Sequence, residues 1–238
     1  MVYICPDCGG KVSEHASACP SCGCPISFVK MPIEETELLS LRTADVYDIV
    51  KFGRYPQDET REKKDIPWIV LEKTNDRILL LSQLAIEAKT FCYSDDCETA
   101  NNSWSESDVR KWLNGDFLEE AFSEGEQKQI ILSKVVAEMN PEYSWIDPGI
   151  DTEDRLFLLS TGAVRKYLPN PGMCIAKAAY GVAFNIDESP IGWWLRTKGA
   201  RDNFVSFVDT SGRIDYEGFM ANYFGYGTRP AMWVKLRT

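Results

Sequence analysis

Apolar and polar positions first alternate with a strand period from about Tyr47 onward. Val46-Tyr47-Asp48-Ile49-Val50 leads into Phe52-Gly53-Arg54-Tyr55-Pro56-Gln57, then Pro67-Trp68-Ile69-Val70-Leu71-Glu72, then Arg77-Ile78-Leu79-Leu80-Leu81-Ser82. The polar break Thr74-Asn75-Asp76 makes the last two a β-hairpin. The period then changes. Val109, Trp112 and Leu113 share one helical face behind Ser105-Glu106-Ser107-Asp108, which has the form of a capping box with Asp108 at the third helical position. Ser123-Glu124-Gly125-Glu126 opens a second short helix, residues 139–154 read as a loop, and Leu156-Phe157-Leu158-Leu159 reads as a buried strand. Ser160 caps a helix from Gly162 to Leu168 that Pro169-Asn170-Pro171-Gly172 ends.

From Trp193 to Trp233 helical periodicity vanishes, and these 41 residues hold 10 of the chain's 28 aromatics and five glycines. Phe204–Asp209 and Arg213–Tyr216 predict a hairpin around Thr210-Ser211-Gly212, where glycine tolerates a positive φ. The string from Gly218 to Gly227 is too aromatic for a solvated loop and too broken by glycine for a regular element; it is either held by the core or used in binding. Ala231–Leu236 predicts a final strand that pairs centrally. Strands, then helices, then strands argue for an α+β fold over a doubly wound sheet.

Residues 1–25 carry a different signal. Cys5-Pro-Asp-Cys8-Gly-Gly and Cys19-Pro-Ser-Cys22-Gly are two C-x-x-C knuckles, each followed by glycine. That spacing suits one tetrahedral structural zinc per chain held by Cys5, Cys8, Cys19 and Cys22, and it resembles a short zinc ribbon. So small a segment buries no core, and zinc would supply most of its folding free energy. Such a site has no open coordination position, so its role is structural or in docking. His15 lies in the connecting loop and Cys24 is a fifth sulfur. Residues 26–45 read as a linker, and 46–238 as one α+β domain.

The charge narrows the partners. At a net −10, and with no Lys/Arg run longer than two, the chain repels phosphate backbones, which excludes nucleic acid as a partner for the whole. No secretory leader or membrane span is legible, which places the chain in a reducing cytoplasm without membrane insertion and makes its eight cysteines thiols or metal ligands before disulfides.

The ordered motifs FGRYPQ (52–57), PWIVLE (67–72), ILLLS (78–82), SWSESDVRKWLNGDFLEEAF (103–122), FLLS (157–160), WWLRT (193–197) and GTRPAMWV (227–234) resemble a bacterial domain family related to the formylglycine-generating-enzyme branch of the C-type-lectin-like fold. The resemblance implies a compact domain over roughly 46–236 whose first and last strands pair and whose later half is a loop-rich binding side. It implies no activity. The oxidase of that branch holds copper on a C-terminal pair of cysteines, and here no cysteine follows Cys174, with Cys92 and Cys97 far upstream. A thiol site from those three is a minor reading. Other members of the fold bind proteins or glycans, and some are receptors diversified by retroelements in the C-terminal aromatic stretch.

Catalytic constellations have no support in the main domain, since the single histidine lies in the ribbon. Asp116, Glu119, Glu120, Glu124 and Glu126 read as a solvated helix face, and the loop acids Asp147, Asp151, Glu153 and Asp154 match no calcium-loop spacing. Arg196 and Arg229 read as buried guanidiniums that fix loops, ahead of a clamp for an anion. The candidate ligand surface is Trp194, Arg201, Asp202, Asn203, Asp215, Tyr216, Asn222, Tyr223, Phe224 and Tyr226, aromatic area with adaptable polar groups, a mixture that recognition surfaces favour. The sequence therefore predicts a non-enzymatic module that binds a protein or glycan. A retroelement-diversified receptor and a formylglycine-generating-type oxidase are the alternatives.

Overall fold

The computed structural model describes residues 2–4, 11–13, 16–21, 23, 40–56, 62–93, 102–178 and 189–236. The chain divides into two units, Met1–Ala44 and Asp45–Thr238. In the first, β1 (Val2–Ile4) pairs antiparallel with β2 (Lys11–Ser13), Val2 opposite Ser13. Cys19 is buried. Cys5, Cys8, Cys22, Cys24 and His15 lie outside the described residues, as does most of the expected linker.

The alternation at the start of the second unit becomes an antiparallel sheet ordered β15-β5-β4-β3, with β3 at Ile49–Pro56, β4 at Lys63–Lys73, β5 at Arg77–Ser82 and β15 at Ala231–Lys235. Val50, Phe52 and Tyr55 of β3 are buried, and Ile78 to Leu81 of β5 are buried on both faces, as an apolar run with no alternation requires. The β3–β4 ladder breaks between Lys51 and Arg54. Gly53 sits in that break at φ +72, and a Cβ there would lie 2.5 Å from the Phe122 ring. Pro67, opposite Lys51, borders the same irregularity, where its missing N–H is tolerated.

Two expectations about the sheet change. The last strand takes an edge: β15 pairs with β5 from Ala231↔Leu81 to Lys235↔Arg77, and among the described residues its other side meets isolated bridges to Phe157 and Ile130. The first and last strands of the domain do not pair; they stand at opposite edges with β4 and β5 between them. Leu156–Leu159 is buried as expected, yet it bridges only through Phe157. Within the expected 139–154 loop, β8 (Thr152–Asp154) pairs with β7 (Ser133–Val135).

Helix starts follow side-chain caps. In the second unit the helix α1 (Asp108–Asn114) begins two residues later than the Ser105 reading, because Ser107 Oγ accepts from Arg110 N while Trp104–Glu106 forms a 3-10 turn. Gly115 separates α1 from α2 (Asp116–Ala121). The Ser123–Glu126 capping box of α3 (Glu124–Gln129) is present in full. Glu126 leaves the solvated face assigned to it: it is buried, and its carboxylate accepts from Ser123 N at 2.7 Å and Gly53 N at 2.8 Å. That ties the β3 bulge to the helices. Ser160 caps α4 (Thr161–Tyr167) through Ala163 N. Asn170-Pro171 starts a further turn, α5 (Pro171–Cys174), because Asn170 accepts from Gly172 N and proline suits a first helical position.

Phe52, Trp68, Phe117 and Phe122 pack ring to ring between the first sheet and the helices. A second sheet, ordered β13-β12-β11-β14-β6, carries β6 (Glu87–Ala88), β11 (Trp193–Lys198), β12 (Phe204–Val208), β13 (Ile214–Met220) and β14 (Gly227–Thr228). A small pair of β9 (Ala176–Lys177) and β10 (Pro190–Ile191) stands apart. The fold is mixed α+β, mostly sheet with few and short helices.

Candidate recognition face

The hairpin predicted at 204–216 is β12–β13. Asp209 Oδ1 accepts from Ser211 N, Ser211 Oγ and Arg213 N, at 2.8, 2.7 and 2.9 Å, and Gly212 takes φ +83. Burial pushes the Asp209 carboxyl up, but the bonds from Ser211 and Arg213 outweigh it and hold its pKa below the ordinary value. Beyond β13 the chain turns at Ala221, whose N–H donates to Asn203 O.

The aromatic string that follows is both held by the core and presented to solvent. Trp194 is 0% exposed; Tyr226 meets it edge-on at 4.7 Å and stacks on Phe207 at 4.3 Å. Tyr223 meets Tyr226 and Phe219, each at 4.9 Å, and Phe224 meets Tyr223 at 5.9 Å. Exposure climbs along this series to 37% at Tyr223 and 58% at Phe224. Gly225 permits the tight return, since a Cβ there would fall 2.3 Å from the Tyr223 hydroxyl. Burial, then the neighbouring Tyr223, Asp215 and Asp209, push the Tyr226 phenol above its usual range, so it is neutral.

Main-chain bonds gather further loops beside this one. Cys92 N donates to Ala221 O, and Asn102 N to Asp202 O. Gly149 lies against Ser103, 2.6 Å from its Cβ to a Cβ built on the glycine. Buried Asn140 donates to Lys198 O at 2.8 Å and Tyr216 O at 2.7 Å, which fastens the 139–150 loop to β11 and β13. Exposed apolar side chains sit on these loops: Tyr93, Ile150, and Trp145, which is 72% exposed and packs edgewise on Tyr143. Sequence reasoning missed Tyr93, Trp145 and Ile150. Trp145 and Ile150 stood in a segment read only for its acids, though Tyr-Ser-Trp-Ile in a polar loop was the available signal.

Most of the expected ligand residues belong to this loop cluster. Arg201, Asp202, Asn222, Tyr223 and Phe224 are exposed, and Asn203, Asp215, Tyr216 and Tyr226 are half-buried. Arg201 lies over the Phe204 ring at 4.9 Å, and Asp202 accepts from the Lys198 ammonium at 3.0 Å. Asp215 accepts from Gly218 N and so holds a strand irregularity. Trp194 is a correction: it belongs to the floor, because its Nε1 donates to Lys89 O at 2.9 Å and its ring packs on Phe91.

Arg229 is buried, as expected, and Arg196 is nearly so, its side chain 10% exposed. Arg229 Nε donates to Ser82 O at 2.8 Å under the Trp193 ring, and burial lowers its pKa to about 10. Arg196 donates to Leu158 O at 2.8 Å and to Glu138 at 3.3 Å. The acids of the 147–154 loop are parted. Buried Asp154 accepts from Trp104 Nε1, Arg110 Nε and Thr152 Oγ1, while Asp151 pairs with Lys134. Cys174 is buried with its S–H directed at Leu168 O and Asn170 O, and burial pushes its thiol up. Cys97 lies outside the described residues. Among the described residues no three of His, Cys, Asp or Glu stand together in a way that could hold a metal ion. Nor is any described helix long and apolar enough to cross a membrane.

Of known families, one described as a domain of unknown function, DUF6273, matches residues 75–236. No curated protein and no solved structure matches the chain.

Proposed function

The chain belongs to the DUF6273 family, and we propose that it is a recognition module that binds a protein or glycan by contact, without chemistry, on the loops around residues 201–226. In this reading the domain is C-type-lectin-like, of the formylglycine-generating-enzyme type, and follows an N-terminal zinc ribbon. The observation that carries the proposal is the aromatic series from Trp194 through Tyr226 and Tyr223 to Phe224, from 0% to 58% exposed. A floor fixed by the core pre-organises the exposed rings, so binding orders few side chains and loses little entropy. The buried Cys174, its S–H directed at Leu168 O and Asn170 O, supports a non-enzymatic role over the oxidase alternative.

The test is a glycan array and a displayed-peptide library probed with the full chain and with a Tyr223→Ser/Phe224→Ser variant. A ligand bound by the wild type and lost in the variant, while the variant still melts in one cooperative transition, is the expected result. No ligand on either library, or a ligand the variant retains, overturns the reading.

A further inference from the structure

Away from those loops, a cavity of about 380 Å³ opens among β7, α4, β15 and Arg196 of β11. That volume lies within the range of small-molecule sites. Its apolar walls include Phe157, Trp233, Leu79 and Leu159, and its charged lining is Arg196, Lys134, Lys166 and Glu138. On a chain of net charge −10, three cations and one carboxylate line the cavity, while Glu72 and Asp151, outside the lining, balance Lys166 and Lys134 and leave Arg196 as the innermost cation.

The cations differ in how firmly they are held. The Arg196 side chain is 10% exposed and its head is fixed by Leu158 O, with one long contact to the more exposed Glu138 at 3.3 Å. Lys166 pairs with Glu72 at 2.9 Å and Lys134 with Asp151 at 2.8 Å, but both lysines are largely exposed. Exposed pairs of that kind contribute little and yield to a better-placed anion. A fixed guanidinium, two adjustable ammoniums and aromatic walls match a carboxylate on a flat apolar body. Glu138 beside Arg196 works against a second negative charge on the ligand.

We propose that this cavity is a binding site for a small organic monocarboxylate with an aromatic or branched apolar body, separate from the recognition face. The experiment titrates the ¹⁵N-labelled full chain with 3-phenylpropanoate, with its neutral amide, and with inorganic phosphate, each to about 10 mM, a ceiling suited to a fragment of this size. The carboxylate is expected to shift the amides of 133–136 and 161–167 and the Trp233 indole, with the amide binding about tenfold more weakly. Glu138→Gln removes the competing charge and tightens binding about threefold, whereas Lys166→Met weakens it by a similar factor; both positions are exposed enough for the fold to survive. No shifts, equal binding of the amide, phosphate bound as well at the same resonances, or a weaker Glu138→Gln each overturn the assignment.

Discussion

Replacing Tyr226 by alanine separates the floor of the candidate face from its tips. Complete truncation of a fully buried aromatic costs about 3–5 kcal/mol. Tyr226 is half-buried, but its ring is in contact with Trp194, Phe207 and Tyr223 at 4.3 to 4.9 Å, and such contacts add about 0.5–1.5 kcal/mol each. Halving the first figure and adding part of the second gives about 2–3 kcal/mol. For a domain of this size that lowers the melting temperature by about 5–10 °C. Phe224→Ala removes a ring that is 58% exposed, so its effect stays within about 0.5 kcal/mol, under about 2 °C. Tyr226→Phe keeps all three ring contacts and restores most of the loss. Scanning calorimetry of the three variants and the wild type reads these differences directly. Equal melting temperatures for Tyr226→Ala and the wild type, or a larger drop for Phe224→Ala, would refute the division into floor and tip.

Two further predictions concern the rest of the chain. Glu72 Oε2 accepts from the Tyr167 hydroxyl at 2.6 Å and from the Lys166 ammonium at 2.9 Å, and these bonds hold its pKa below the ordinary 4.5; the resulting stability is complete above that pH and is lost as pH falls through the depressed value. Melting curves of Glu72→Gln and wild type therefore converge in acid and separate above pH 4.5, and a gap that persists unchanged in acid would exclude the linkage. If Cys5, Cys8, Cys19 and Cys22 hold zinc, native mass spectrometry finds about one zinc per chain, and Cys19→Ser or a chelator removes it and exposes Met1–Ala44 to proteolysis while the melting of Asp45–Thr238 is unchanged. A metal-free chain, or zinc retained by Cys19→Ser, counts against the ribbon.

Elements written in local chemistry were legible. The hairpin of β4 and β5, the Ser123–Glu126 capping box and the Gly212 turn each follow from residues adjacent in sequence. What needed the whole fold was not. Two serines two residues apart offer equivalent caps, and the choice of Ser107 over Ser105 goes with Asp108, whose carboxylate accepts from Tyr93 N and Lys111. Glu126 looked solvated because its neighbours are; only the β3 bulge, distant in sequence, supplies the Gly53 N–H that makes its burial tolerable. The edge position of β15 was equally hidden. An apolar run reads as central whether its second side is covered by a strand or, as here, by bridges to Phe157 and Ile130.

The same distinction governs the candidate face. Composition alone located the stretch that carries it, because aromatics among glycines resist both helix and plain strand. It could not sort Trp194 from Phe224, since both are large aromatics in one aromatic-rich stretch and they differ in what lies behind them. Trp194 has Phe91 and the Lys89 carbonyl; Phe224 has the partly exposed Tyr223. Contributions from Trp145 and Tyr93 depend on links no local pattern encodes: Asn140 reaching Lys198 and Tyr216, and Cys92 bonding Ala221. Substitutions compatible with the fold are thereby confined to the tips. At 145, 201, 222 and 224 a side chain can change with little effect on the domain, whereas at 194, 215, 223 and 226 the same change strikes the floor, and at 202 it takes a carboxylate from the buried Lys198 ammonium. A binding surface built this way can alter its ligand while keeping its scaffold.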